Sequence, residues 1–142
     1  MDRYEEAVLD YITANRARFV SPQFDVPYDS EIGGSCPDFV VIDLGDRTIY
    51  VVEVTSSSNI NSLAERIDSR DTRWVKPLRK HFEALSPVFV AWQYRTTAFV
   101  REPNLESLRK KYESASDVTI KSIEAFLCRI RGSGKDRKYR TD

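Results

Sequence analysis

Two acidic residues lie within apolar segments of this sequence, where a simple β-hairpin would not need them. Asp38 directly precedes the run FVVI, and Glu53 lies near the end of the run IYVVEVT, two residues before Thr55. The loop between the runs predicts a hairpin that turns around Gly45-Asp46. Counting back from this turn brings Asp38 and Glu53 within a side chain's reach. Glu53 and Thr55 share one face, because side chains alternate along a strand.

A pair of neighbouring carboxylates in a dry setting indicates a particular chemistry. Both groups cannot stay ionised at low cost, so one takes a proton or a divalent cation lies between them. Ligands that are all oxygen suit Mg²⁺ or Mn²⁺. Such an ion can bind a phosphate oxygen and lower the pKa of a bound water, which then attacks a phosphodiester bond.

Other common kinds of catalytic site are excluded or disfavoured by the sequence. His81 is the only histidine, and Cys36 and Cys128 lie far apart, which excludes a zinc site built from Cys and His. Cys36 has no base partner and His81 no nucleophile partner, so neither is expected to be catalytic. The 22 basic and 22 acidic side chains cancel, so the net charge by itself does not indicate a nucleic-acid partner.

The segments PDF at 37–39 and VVEVT at 51–55 resemble the two motif elements of the PD-(D/E)xK nuclease superfamily, which has the restriction-endonuclease-like fold. The resemblance implies hydrolysis of phosphodiester bonds in DNA or RNA, with Mg²⁺ or Mn²⁺ as the cofactor. It also implies a nucleic-acid partner, with DNA favoured. Members of the family are often dimers, so a homodimer is a further expectation.

Family roles carry over to individual positions of this chain. By the resemblance, Asp38 and Glu53 would ligate the metal together with the carbonyl of Val54. The family often adds a glutamate from its first helix; Glu5 fits that place, and Glu6 is the alternative. Thr55 would help to orient the attacking water.

Thr55 stands where the family has a lysine. Threonine offers a hydrogen bond but no positive charge, so it cannot replace the electrostatic role of lysine. Three interpretations stay open. Lys76, Lys80 or Arg66 of the next helix could reach into the site, or the enzyme could work without such a cation. Alternatively, the chain keeps the fold without catalysis, as a nucleic-acid-binding or protein-interaction module.

A less specific alternative is a small-molecule or protein-interaction α/β domain unrelated to nucleases. In that case Asp38 and Glu53 would lie too far apart to share an ion.

The periodicity of the sequence predicts the elements that would position these residues. The first half of the chain contains a helix at about 2–15, an extended segment at 19–35 that closes on Gly33-Gly34, and strands at 38–44 and 48–55. A helical region at about 60–85 follows, and then a strand at 87–95, which residues 96–102 either extend or pair with. The last elements are a helix at 104–115, a strand at 117–121 and a short helix at 122–130 that Ser122 caps. This order predicts an α/β fold in which helices flank a mixed central β-sheet. It matches the αβββαβ core of the restriction-endonuclease-like fold, with a further helix and strand.

The helical region at 60–85 has two contrasting sides. The predicted core side holds Leu63, Ile67, Trp74, Leu78 and Leu85. The opposite side is basic, with Arg66, Arg70, Arg73, Lys76 and Lys80. Pro77 and the sequence DSRDT predict a kink or break. The basic side suits a phosphate backbone, and a solvated helix face is the equal alternative.

The sequence predicts one domain at 1–131, followed by a flexible basic tail at 132–142. It contains no apolar run of the ~18–20 residues that cross a bilayer. The first residues are acidic and amphipathic rather than signal-like. We therefore expect a soluble cytoplasmic protein without a membrane partner.

Overall fold

A mixed β-sheet forms the centre of the part of the chain that the computed structural model describes, residues 1–26 and 35–127. Its five strands follow one another in the sheet as they do in the chain: β1 (Arg18–Pro22), β2 (Phe39–Asp43), β3 (Thr48–Thr55), β4 (Gln93–Val100) and β5 (Val118–Ser122). The first three strands pair in antiparallel fashion, and β3, β4 and β5 pair in parallel. Parallel pairs need crossover connections, which here contain helices.

Helices flank the sheet, which confirms the predicted α/β class. They are α1 (Arg3–Thr13), α2 (Asn61–Asp68), α3 (Lys76–Leu85) and α4 (Glu102–Lys111), and residues 123–127 are also helical. The start of α1 is a capping box. The Asp2 side chain accepts from the backbone N–H groups of Tyr4 and Glu5, and the Glu5 carboxylate accepts from the Asp2 N–H at 2.8 Å. This arrangement holds Glu5 in the first turn of the helix.

The two faces of the sheet pack against different helices. On the first face, Val40, Ile49 and Val51 contact Trp74 and Leu78, and we call it the α3 face. On the second face, a cluster joins β-strand residues to α1 and to the helical residues 123–127, and we call it the α1 face. Its buried members are Val8, Ile12, Phe39, Val41, Val52, Phe99, Ile123 and Phe126. The alternation of side chains along β2 and β3 accounts for this division.

The helical region at 60–85 is broken, as predicted, but the break precedes Pro77. A π-helical turn at Asp71–Val75 separates α2 from α3. Pro77 lies in the first turn of α3, where a missing N–H removes no helical hydrogen bond. Leu63, Ile67, Trp74 and Leu78 are buried as predicted.

Two sequence predictions in the following segment are wrong. Leu85, predicted on the core side, is 66% exposed at the last position of α3. The predicted strand at 87–95 starts only at Gln93, since Pro87–Ala91 form a 3₁₀ turn. Ser86 caps this turn by accepting from the Val88 N–H. The apolar residues of the 3₁₀ turn are therefore partly exposed to solvent and do not pair with a neighbouring strand.

Several other predictions concern the ends of elements. The predicted helix at 122–130 does start after Ser122, whose hydroxyl accepts from the Ala125 N–H at 3.4 Å. Its last residues, the loop that closes on Gly33-Gly34 and the tail at 132–142 lie outside the described residues. No helix in the described ranges is long and apolar enough to cross a membrane.

The contrast between two leucines of α3 gives a test of the packing. Leu78 is fully buried and Leu85 is 66% exposed. We expect Leu78→Ala to lower the free energy of unfolding by about 2–5 kcal/mol, because it leaves a cavity. The matched change Leu85→Ala should alter it by no more than about 0.5 kcal/mol. Urea denaturation of both variants measures the difference, and equal effects would contradict the assigned orientation of α3.

Candidate active site

The register of the hairpin brings Asp38 and Glu53 opposite each other. Phe39 pairs with Val52 in the antiparallel ladder, so Asp38 faces Glu53 one step further out, where β2 begins and β3 ends. The Asp38 carbonyl accepts from the Gln23 N–H at 2.8 Å and therefore points away from β3. Asp38 and Glu53 thus form a non-hydrogen-bonded pair, the kind whose side chains lie closer together.

The Asp38 carboxylate is anchored to the end of β3. Its Oδ2 accepts from the Val54 N–H at 2.7 Å. The N–H and C=O of one strand residue point to the same side, so the Val54 carbonyl is also directed towards the strand that Asp38 begins. The two carboxylates and this carbonyl therefore lie at one end of the sheet. It is the end where the parallel strands β3 and β4 have their carboxyl termini, the usual location of ligand sites in α/β sheets.

Glu5 joins this cluster from α1. It lies close enough to Asp38 to contribute to the raised pKa of that carboxyl group. The same Glu5 side chain caps α1 through its Oε2, so the helix start and the carboxylate cluster are linked. Glu6, the alternative from the sequence, is exposed.

Burial dominates the electrostatics of the two strand carboxylates. Burial raises the pKa of Asp38 to about 6, with the neighbouring Glu5 adding to the effect and the Val54 N–H opposing it. Burial likewise raises the pKa of Glu53 to about 7, and the negative charge of Asp38 adds to this. Arg66 opposes both shifts. The positive charge of Arg66 therefore does not offset burial, and the pKa values of both carboxyl groups stay above their ordinary values.

Arg66 is the cation of α2 that reaches this site. Its Nη2 lies 3.3 Å from Glu53 Oε2, and its Nη1 donates to Ser62 Oγ at 2.8 Å. The Arg66 Nε is buried and has no hydrogen-bond partner in the described part of the chain. Of the three cations that the sequence offered in place of the motif lysine, Arg66 is the one that contacts Glu53.

The other basic residues of this region take different positions. Arg70 binds both oxygens of Asp117 at 2.7 and 3.0 Å, and Lys76 pairs with Asp71 at 3.3 Å. Lys80 is exposed. The Arg73 charge acts on Glu53, lowering its pKa, while its Nε donates to Ser69 at 3.2 Å. The predicted basic face is therefore divided, and the part formed by Arg66 and Arg73 adjoins the carboxylates.

Thr55 is the last residue of β3 and is half-buried. It points to the same face as Glu53, as the alternation of the strand predicts. It pairs with Val100 of β4, so neither residue of this pair brings a positive charge to the end of the sheet. Among the described residues, the cation that reaches the site comes from a helix, α2, which carries Arg66.

The donor set fits a hard divalent cation. The carboxylates of Asp38 and Glu53 and the carbonyl of Val54 supply only oxygen, which suits Mg²⁺ or Mn²⁺. Their raised pKa values indicate a shortage of positive charge that such an ion would relieve. Within residues 1–26 and 35–127, no group of three or more Asp, Glu, His or Cys side chains is arranged to hold an ion. The fit therefore concerns a two-carboxylate site, with Glu5 beside it.

His81 and Cys36, which the sequence analysis did not expect to be catalytic, lie in surroundings that agree with this expectation. The His81 ring packs edge-on against Phe24 and Phe82. Desolvation, the nearby Asp25, and then Asp38 and Glu53 raise the pKa of Cys36, which keeps its thiol protonated and weakly nucleophilic. The proximity of Asp25 to this site was not predicted, since no pattern in the sequence indicates it.

Comparisons of the chain with protein-family models, with curated proteins and with solved structures find no match. The likeness to the PD-(D/E)xK nucleases therefore remains a hypothesis. It depends on the two motif segments and on the arrangement of Asp38, Glu53 and Val54.

The two raised pKa values make the stability of the metal-free protein depend on pH. The values of about 6 and about 7 lie above the ordinary 3.8 and 4.5, so between pH 5 and 8 the folded state holds more protons than the unfolded state. Stability therefore falls as the pH rises through this interval. We expect a loss of about 4 kcal/mol, from about one pKa unit at Asp38 and two at Glu53 at ~1.4 kcal/mol each, measured by urea denaturation with a chelator present.

A matched pair of substitutions assigns this effect. Glu53→Gln should flatten the decline between pH 5 and 8, because it removes one of the two titrating groups. Glu65→Gln, at an exposed position of α2, should leave it unchanged. A wild-type protein whose stability is constant or rises over this interval would show that the two carboxyl groups are not coupled to folding in this way.

Proposed function

We propose that this protein is a divalent-metal-dependent nuclease that hydrolyses phosphodiester bonds in DNA or RNA. The observation that carries the proposal is the pairing of Asp38 and Glu53 at the carboxyl end of β3. Two carboxylates are held opposite each other there, against their mutual repulsion and at a cost of desolvation. Such an arrangement is costly for stability alone and is common where charge has a catalytic use.

Asp38, Glu53 and the Val54 carbonyl would hold the ion, and the Val54 N–H keeps the Asp38 carboxylate in place. When bound there, Mg²⁺ or Mn²⁺ would neutralise the carboxylates, polarise a phosphate oxygen and acidify a water molecule. Glu5, which lies beside Asp38, would assist the site as the acidic residue from the first helix. The Thr55 hydroxyl, on the same face as Glu53, can orient the attacking water through a hydrogen bond.

Arg66 supplies the positive charge that Thr55 lacks. The guanidinium stays protonated at all relevant pH values, so it acts through charge and hydrogen bonds and not as an acid or base. Its position beside Glu53 lets it stabilise negative charge that develops on a phosphate in the transition state. Its buried Nε still has the capacity to donate a hydrogen bond.

The substrate proposal follows from the same region. Arg66 and Arg73 adjoin the carboxylates, and a phosphate backbone could extend from them along Lys76 and Lys80. Arg70 would contribute only if it released Asp117. Nucleic acid, with DNA favoured, is therefore the proposed partner, and the cytoplasm and a homodimer stay predictions from the sequence.

Cleavage assays test the proposal. Plasmid DNA, single-stranded DNA and RNA are incubated with the protein and Mg²⁺ or Mn²⁺. We expect cleavage that falls by a factor on the order of 100 or more in Asp38→Asn and Glu53→Gln, because each removes a metal ligand. Asp46→Asn, at an exposed position of the hairpin turn, is the control and should cleave like the wild type. Absence of cleavage on every substrate, or equal cleavage by Asp38→Asn, rejects the proposal.

Arg66 can be tested separately. Arg66→Gln should lower kcat by a factor of about 10²–10³, as expected when a group that stabilises transition-state charge is lost. Arg66→Lys should recover part of the rate, since it restores the charge but not the planar donor group. Arg16→Gln, at an exposed arginine after α1, is the matched control. Wild-type rates in Arg66→Gln would remove Arg66 from the mechanism.

A second candidate function is a nucleic-acid-binding or protein-interaction module without catalysis. Thr55 at the lysine position favours it, and so does the engagement of Arg66 with Glu53, which partly satisfies the carboxylate without a metal. Calorimetric titration with Mg²⁺ or Mn²⁺ distinguishes the two functions. Binding that Glu53→Gln abolishes supports the enzyme, whereas absence of both metal binding and cleavage supports the module.

A further inference from the structure

A separate cleft of about 170 Å³ lies on the α1 face of the sheet, the face opposite to that of Glu53. Its lining combines basic, hydroxyl and aromatic side chains: Arg18, Arg95 and Lys121; Thr97 and Thr119; and Tyr11, Tyr50 and Phe99. We propose that this cleft binds a small organic phosphate, a phosphomonoester with an apolar ring or chain. The proposal is independent of the nuclease hypothesis.

The described helices cover the α1 face only in part, and the cleft lies beside them. The side chains of α1 and of the helical residues 123–127 pack over Phe39 and Phe99. Tyr50 of β3 pairs with Arg95 of β4. Both residues lie nearer to the start of β4, beside the C-terminal part of α1. Ile12 and Tyr11 form the wall there.

Within residues 1–26 and 35–127, two cations of the cleft have no carboxylate partner. Arg95 donates to the Ser116 carbonyl at 3.2 Å and to Gln93 Oε1 at 3.4 Å, which are uncharged partners. The Lys121 Nζ lies 3.4 Å from the Tyr11 hydroxyl and over the Tyr11 ring. Neither interaction supplies a negative charge.

The acidic groups near the cleft are already paired. Asp43 is bound to Arg18 at 2.8 Å, so this pair adds no net charge. Asp117 acts on Arg95 electrostatically, but Arg70 holds both of its oxygens. No Asp or Glu is among the described residues that line the cleft. Its lining therefore carries an excess of positive charge from Arg95 and Lys121.

The sheet register places hydroxyl groups between these cations. Thr97 of β4 pairs with Thr119 of β5, and Lys121 pairs with Phe99. Arg95 and Thr97 are two apart on one strand, as are Thr119 and Lys121, so all four point to the same face. A guanidinium, an ammonium and two hydroxyls can together donate to the oxygens of a phosphate dianion.

The remainder of the lining selects an apolar body on the ligand. Val52 and Phe99 form part of the apolar floor, and the rings of Tyr11 and Tyr50 stand at the sides. A volume of about 170 Å³ is small beside the ~300–1,000 Å³ of drug-sized ligand pockets. It suits one head group with a single ring, and not a duplex.

Phenyl phosphate is the probe, compared with inorganic phosphate and phenol by titration of ¹⁵N-labelled protein. We expect shifts at the amides of Thr97 and Thr119, and binding at least about tenfold tighter than that of either fragment, because both charge and ring contribute. Inorganic phosphate that binds as tightly as phenyl phosphate would remove the apolar part of the proposal. Equal binding of phenol, or absence of shifts at both threonines, would overturn it.

Variants locate the charge recognition. Arg95→Gln and Lys121→Gln should each weaken phenyl phosphate binding by about 10-fold or more, because each removes a charge-assisted hydrogen bond to the phosphate. Thr97→Val, which keeps the shape of the side chain, should weaken it less. Lys110→Gln, at an exposed position of α4, and Asp38→Asn should bind like the wild type. Full affinity in both Arg95→Gln and Lys121→Gln rejects the proposal.

Discussion

The antiparallel register between β2 and β3 is the constraint on which both sites depend. Buried Asp43 holds it near the turn, because it is bound to Arg18 of β1 and accepts from the Asp46 N–H at 2.9 Å. A slip of one residue would send every side chain of one strand to the other face. Asp38 would then no longer face Glu53, and Val41 and Val52 would no longer share the floor of the opposite cleft. A buried ion pair at one end of the hairpin thus supports the carboxylate pair at the other end.

In the candidate active site, favourable interactions offset only part of the cost of placing two carboxylates in a buried setting. The Val54 N–H and Arg66 favour the charged carboxylates, while burial and the proximity of Glu5 and Asp38 favour protonated ones. A protein selected for stability alone would have little use for this balance, since apolar residues at the end of the strands would cost less. We regard the balance as a sign of function, and a divalent cation as the group that would complete it.

Local patterns in the sequence were sufficient for most of the fold. The hairpin, the first helix and most of the buried residues of the 60–85 region follow from turn chemistry and hydrophobic periodicity. The same reasoning failed between Leu85 and Trp92, where a run of apolar residues indicates a strand but Pro87–Ala91 form a 3₁₀ turn. An apolar run shows that residues tend to be buried, yet whether a neighbouring strand is available to them depends on where the preceding helix ends.

The sequence by itself determined that Asp38 and Glu53 are neighbours, because only a short turn separates their strands. Tertiary structure decided which cation reaches them, because α2 packs so that Arg66 contacts Glu53, whereas Lys76 pairs with Asp71 and Lys80 is exposed. It also decided the basic cleft. Arg95 and Lys121 lie on parallel strands joined through α4, and no local pattern states which strands pair after such a crossover or which face a helix leaves open. Short-range order follows from backbone geometry, whereas these sites arise from packing between segments distant in the chain.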